Sequence, residues 1–199
     1  ETLGPFNYNI ENYTESLWIA EGWTSFYDNL FLRRCNIIDN KEYFEFVDAE
    51  VNDIMRFKGR FSQSLAESSM DTWIKFYRKD ENYSNSQVSY YTKGALVALM
   101  LNIEIITATN AARSLDDVMR MLYRNYREDS TIGYTDKSVK EACESVGGID
   151  LNDFWEKYVY GVEDLPIDEY LNRCGLKLIN EKSEVQCVLD IETKNDNGR

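Results

Sequence analysis

The chain has 199 residues, 43% hydrophobic, 14% aromatic and 29% charged, the proportions of a folded globular protein. Its 35 acidic and 22 basic residues leave a formal charge of −13 with no basic cluster, which argues against nucleic acid and anionic membrane surfaces as partners, since phosphates are bound by Lys and Arg gathered on one face. No histidine is present, and this removes Ser-His-Asp and Cys-His catalysis, imidazole acid/base work and every His-ligated metal site from this stretch.

Length and the scarcity of Gly and Pro (10 and 2) predict one domain with a genuine core and no long linker. The longest unbroken apolar run, Ala95 to Leu101, is far short of a membrane span, which needs ~20 such residues. There is no signal-peptide pattern. The opening at Glu1 and the hairpin-like close at Asp196-Asn197-Gly198-Arg199 read as the ends of an excised piece of a longer protein. Cys35, Cys143, Cys174 and Cys187 show no CxxC pairing and are read as core thiols, although an even number leaves a disulfide open.

In chain order, Asn12 with Glu15 has capping-box spacing and predicts a first helix from about Glu15 to Arg34. At 100° per residue Ile19, Trp23, Phe26, Tyr27 and Leu30 share a sector, which Leu17, Ala20 and Phe31 widen. Asp39 with Glu42 caps a second helix to about Phe57, and Gly59 stands where a C-terminal stop belongs. Residues 60 to 88 have no sustained period and read as loop with a short helix near Trp73 to Tyr77; so long an irregular segment usually has a function. A third helix, Tyr90 to about Thr107, is apolar on all sides through Ala95 to Leu101 and marks the centre of the core.

Ser114 caps a helix in which Leu115, Val118, Met119, Leu122, Tyr123 and Tyr126 keep helical spacing. Thr135 starts another with Val139, Ala142, Cys143 and Val146, closed by Gly147-Gly148. Asp150 caps the next, with Leu151, Phe154, Trp155 and Tyr158 inward, and Pro166 and Gly175 bracket the last. After Gly175 the period falls to 2: Val185, Cys187, Leu189 and Ile191 alternate with Gln186, Val188, Asp190 and Glu192, predicting a strand. The fold class is therefore mainly α with a short β segment at the end. No fixed-period repeat suggests a solenoid.

Two places can carry chemistry. Glu21 stands among Trp18, Trp23 and Phe26 directly before Gly22. It reads either as part of a solvent-facing polar sector with Ser25 and Asp28 or as a metal-ligating carboxylate in a cleft, with Gly22 letting another element approach. The second place is Ser89-Tyr90-Tyr91-Thr92-Lys93-Gly94, where a tyrosine at a helix start can donate its phenol to a developing oxyanion, or Tyr90 and Tyr91 can simply pack as two of 14 tyrosines. Adjacent helical residues point about 100° apart, so only one of the pair is expected to face a metal. Two glycosylation-type sequons, at Asn12 and Asn82, are short enough to arise by chance.

Leu3-Gly-Pro-Phe, Glu11-Asn-Tyr-Thr-Glu-Ser-Leu-Trp-Ile-Ala-Glu-Gly-Trp-Thr-Ser-Phe-Tyr, Trp73-Ile-Lys-Phe-Tyr-Arg and Val88-Ser-Tyr-Tyr-Thr-Lys-Gly-Ala-Leu-Val together resemble the M61 glycyl aminopeptidase family of zinc metallopeptidases. Ser114-Leu-Asp-Asp-Val-Met-Arg, Gly133-Tyr-Thr and Leu151-Asn-Asp-Phe-Trp-Glu-Lys-Tyr-Val-Tyr-Gly continue the likeness, collinear over roughly residues 1 to 178. The resemblance implies the helical second lobe of a thermolysin-like (gluzincin) catalytic domain over 1–178 and the truncated start of a PDZ-like β module over 179–199. It implies that Glu21 is the third zinc ligand and that Tyr91, with Tyr90 as the second choice, stabilises the oxyanion. In such enzymes an HExxH helix supplies the other two ligands and the general base; without histidine that helix has no place in this chain.

The expected function is thus part of an aminopeptidase releasing small N-terminal residues such as Gly or Ala. Zinc is expected in the intact parent and not in this chain alone, which should be inactive. The expected partners are a peptide substrate and the N-terminal lobe of the same polypeptide, and the expected compartment is the bacterial cytoplasm or periplasm. The rival expectation is a non-catalytic helical module that binds a protein or glycan.

Overall fold

The computed structural model describes residues 7–131 and 133–179; the strand expected over 185–192, Cys187 and nearly all of the module expected over 179–199 lie outside them. Among the described residues there are α1 (Thr24–Arg34), α2 (Asn40–Arg56), α3 (Leu65–Met70), α4 (Tyr83–Ser86), α5 (Thr92–Ala108), α6 (Leu115–Glu128), α7 (Asp136–Gly147), α8 (Asn152–Tyr158) and α9 (Ile167–Arg173), and no strand. The fold is mainly α, as the periodicity predicts. No described helix is long and apolar enough to cross a membrane.

A helix that is apolar on every side needs neighbours on every side. α5 has them: α1, α2, α6, α7 and α9 pack around it, and Leu96, Val97, Ala98, Met100, Leu101 and Ile105 are fully buried. At roughly 1.5–3 kcal/mol for each large aliphatic side chain taken from water, this helix supplies a major share of the stability. The local start signals act as read. Asp39 and Glu42 form a reciprocal capping box on α2, the Asp117 carboxylate accepts from the Ser114 N–H at 3.0 Å on α6, and Thr135 does the same work with Ser138 on α7.

Several expectations need correction. The first helix does not begin at Asn12, which is exposed; a π-helical turn, Trp18–Trp23, runs directly into α1. Its opening N–H, on Trp18, is accepted at 3.1 Å by the Ser69 hydroxyl of α3, so a residue distant in sequence does the capping. Gly59 does not end α2 in a left-handed conformation. It lies in a 3₁₀ turn pressed against residue 87, where an added Cβ would come within 2.0 Å of the Gln87 carbonyl oxygen.

The region 60–88 is less irregular than expected, because Ser64 and Glu67 make a capping box that starts α3, whereas Trp73 to Tyr77 forms turns. In α6 only Leu115 and Val118 are buried, and Met119, Tyr123 and Tyr126 stay exposed. They face α1 across an open groove of about 960 Å³ whose walls include Trp23, Tyr27 and Phe31. Of the described cysteines only Cys143 is a core thiol, which burial pushes well above the usual thiol range; Cys35 and Cys174 are exposed.

Candidate functional site

The π turn and the start of α5 cross with no side chains between them. A Cβ added to Gly22 would lie 2.6 Å from Gly94 Cα and 2.9 Å from the Tyr90 carbonyl oxygen. One added to Gly94 would lie 2.9 Å from both Gly22 Cα and the Trp18 carbonyl oxygen. Real Cβ atoms do not approach so closely, so both positions require glycine for the backbones to touch. A π turn inserts one extra residue per turn and often marks functional positions. Here it carries Glu21 beside the crossing, with Trp18 and Trp23 packed edge to face at 6.4 Å behind it and Trp18 also against Trp155 at 5.9 Å.

The crossing determines what meets what. Glu21 is half-buried, and its carboxylate makes no hydrogen bond or ion pair among the described residues; its backbone carbonyl accepts from the Ser25 hydroxyl. It lies close enough to Tyr91 and Tyr134 for its charge to act on both phenols. Tyr91 is half-buried at the start of α5, and desolvation first, then Tyr77 and Glu21, raise its phenol above the usual range, with Tyr90 acting in the opposite sense. It therefore stays protonated, a donor, at neutral pH.

Tyr90 is 1% exposed and lies just outside the helix. The rings of Tyr90 and Tyr91 lie 4.6 Å apart with their planes inclined at 31°. Tyr91 is the one whose phenol senses Glu21, whereas desolvation, Thr72, Tyr77 and Tyr91 govern Tyr90. Tyr77 and Tyr134 belong to this neighbourhood although no periodicity pointed to them; their signal was the Trp73–Arg78 and Gly133-Tyr-Thr motifs.

Lys93, in the same Tyr-x-Lys-Gly stretch, is 1% exposed with no hydrogen-bond partner on Nζ. Burial pushes its ammonium down to about 8, against the weaker pull of Asp164 and Glu67. Because the folded value lies below the ordinary 10.5, the folded chain holds fewer protons than the unfolded one between pH 8 and 10.5, and stability rises with pH across that window. Lys93→Met keeps the stem and removes the charge. It should raise stability by about 1–3 kcal/mol at pH 7 and abolish that rise. Urea melts at pH 7 and 9.5 are the check; a loss of stability at pH 7 would mean that the ammonium has a partner.

The profile of the M61 glycyl aminopeptidase family matches residues 1–97, a stretch that includes Glu21, Gly22, Tyr91 and Gly94. The crystal structure of an aminopeptidase N family protein from Idiomarina loihiensis is similar, with 37% identity and a TM-score of 0.80 over 84% of this chain and 28% of that one. The chain thus spans 28% of the length of that solved protein. No curated protein matches it. These likenesses define a peptidase-related, mainly α chain. It is M61-like.

Proposed function

We propose that this chain is the helical lobe of a zinc-dependent aminopeptidase that releases small N-terminal residues such as Gly or Ala. The observation that supports it most is the Gly22–Gly94 crossing, which brings a half-buried carboxylate without partners and a protonated phenol to one neighbourhood from two separate motifs.

No group of three or more His, Cys, Asp or Glu among the described residues is placed to hold a metal ion. Glu21 fits as one ligand, since a carboxylate with no protein cation or donor on it is available to an external cation. In this reading the remaining ligands come from an HExxH helix elsewhere in the parent. When bound, zinc supplies the Lewis acid that polarises the scissile carbonyl and activates water. Tyr91 donates its phenolic O–H to the oxyanion as it develops, and the packed tryptophans behind the π turn hold Glu21 in place. The groove between α1 and α6 favours a second reading, a non-catalytic module that takes an apolar partner there.

The test uses this chain alone and the longer protein with its preceding lobe. After dialysis at neutral pH the chain alone should retain no zinc, and the longer protein one zinc per chain together with hydrolysis of Gly- and Ala-anilides. A longer protein without HExxH, zinc or hydrolysis would sink the peptidase reading and leave the binding module.

A further inference from the structure

The Trp73–Arg78 motif has no part in the chemistry above, yet one of its side chains packs on both tyrosines of the site. Phe76 is partly buried and stands 5.0 Å from the Tyr90 ring and 5.9 Å from the Tyr91 ring. From Phe76 the rings continue outward: Tyr77 meets it edge to face at 5.5 Å, and Trp73 lies 5.9 Å from Tyr77. Four rings thus run in contact from Tyr91, at the start of α5, to Trp73 at the surface.

Tyr77 and Trp73 are 60% and 61% exposed, and Ile74 is as open at 60%. Three large apolar side chains so open within one short turn form the kind of patch that marks a binding surface. None of them is needed to hold the turn. The Ile74 and Lys75 N–H groups donate to the Asp71 carbonyl at 3.1 and 2.9 Å, the Tyr77 N–H donates to the Thr72 carbonyl at 3.1 Å, and Lys75 pairs with Asp71. An aromatic pair presented by a turn already fixed in this way binds a ligand at little cost in ordering. A charge lies beside it. The Lys79 ammonium sits 5.5 Å from the centre of the Phe76 ring and 4.6 Å from that of Tyr83, and makes no ion pair among the described residues. An unpaired cation next to a row of rings suits a ligand that is apolar along its length and anionic at its end. The downstream part of a short peptide, with its free carboxylate, is such a ligand.

We propose that Trp73 and Tyr77 form a substrate subsite, which takes an aromatic or large aliphatic side chain on the second or third residue after the scissile bond. This rests on the reading of the chain as an aminopeptidase lobe with Tyr91 at the oxyanion. An aminopeptidase releases one residue at a time, so only the downstream side of its substrate is long enough to follow the row. Tyr77 is two ring contacts from Tyr91, of 5.9 and 5.5 Å. An extended peptide advances ~3.3–3.6 Å per residue, which brings the second and third residues past the bond level with Tyr77.

The experiment compares three peptides with free carboxylates in the longer zinc-bearing protein: Gly-Ala-Ala-Ala, Gly-Ala-Phe-Ala and Gly-Ala-Ala-Phe. The better of the two Phe peptides should exceed the all-alanine one in kcat/KM by about 3- to 10-fold, chiefly through a lower KM, the size of one added aromatic contact. In the double variant Trp73→Ala/Tyr77→Ala, with native far-UV circular dichroism as the check of folding, that ratio should fall to near unity. No preference for Phe in the unaltered protein, or the same preference in the variant, overturns the subsite and leaves the oxyanion reading standing. Shielding of Trp73 from acrylamide in the peptide-free longer protein, read as the difference from Trp73→Phe, would show that another part of the polypeptide covers the pair, and overturns it as well. If zinc is bound and none of the peptides is cleaved, the aminopeptidase reading fails and takes the subsite with it.

Discussion

On the proposed function, Tyr91→Phe in a longer, zinc-bearing protein should lower kcat by on the order of 10² to 10³ while zinc content is unchanged, and Glu21→Ala should remove zinc and activity together. The charge of Glu21 acts on the Tyr91 phenol, but in the proposed reading the two residues act on different things. Tyr91 contributes an O–H that matters only when negative charge develops on the substrate oxygen, so its loss costs roughly 2.7–4 kcal/mol in the transition state and leaves KM nearly constant. Glu21 carries a charge, and on the proposed function its removal would take a ligand from the metal before any substrate arrives. Tyr90→Phe is the control for register. Tyr90 is fully buried, so its change should leave kcat within a few-fold. Metal analysis and steady-state kinetics on the three variants decide the matter. Normal kcat in Tyr91→Phe with loss in Tyr90→Phe would place the donor one residue earlier.

Gly94→Ala should destabilise the chain by about 3–5 kcal/mol, among the largest effects of any single methyl, and Gly22→Ala should be comparable. In an exposed helix the same change adds stability, because alanine is the better helix former by up to ~1 kcal/mol. Here the sign reverses. The new methyl would meet backbone atoms at 2.9 Å or closer on the facing element, and backbone cannot swing aside as a side chain can. Relief requires the π turn and α5 to separate, which opens the tryptophan packing behind the turn and draws Glu21 away from Tyr91. Gly148→Ala is the contrast: its φ of 62° strains alanine, but nothing lies within 4 Å of an added Cβ, so about 1–2 kcal/mol is expected. Urea melts of the three variants are the measurement. A Gly94→Ala midpoint at or above that of Gly148→Ala would show that the crossing is not tight.

What could be read from the residues was whatever a short stretch settles within itself. Caps at Asp39 and Thr135 and the all-round apolar stretch from Ala95 to Leu101 involve partners a few positions apart, and α2, α5, α6, α7 and α8 follow them closely. The same locality explains the failures. The start and the π register of the first helix depend on the Ser69 hydroxyl, which reaches Trp18 only because α3 packs there. α3 is six residues long, too short to show a period, although Ser64 and Glu67 were present as a signal. Met119, Tyr123 and Tyr126 keep perfect helical spacing yet are exposed, since spacing defines a face and not what covers it.

For the site, the order of residues singled out Glu21, Tyr90 and Tyr91 and suggested that Gly22 admits a neighbour. That the neighbour is Gly94, and that the charge of Glu21 acts on the Tyr91 phenol, follow from two backbones in contact. Such contact joins residues far apart in the chain, and no periodicity along the chain can encode it.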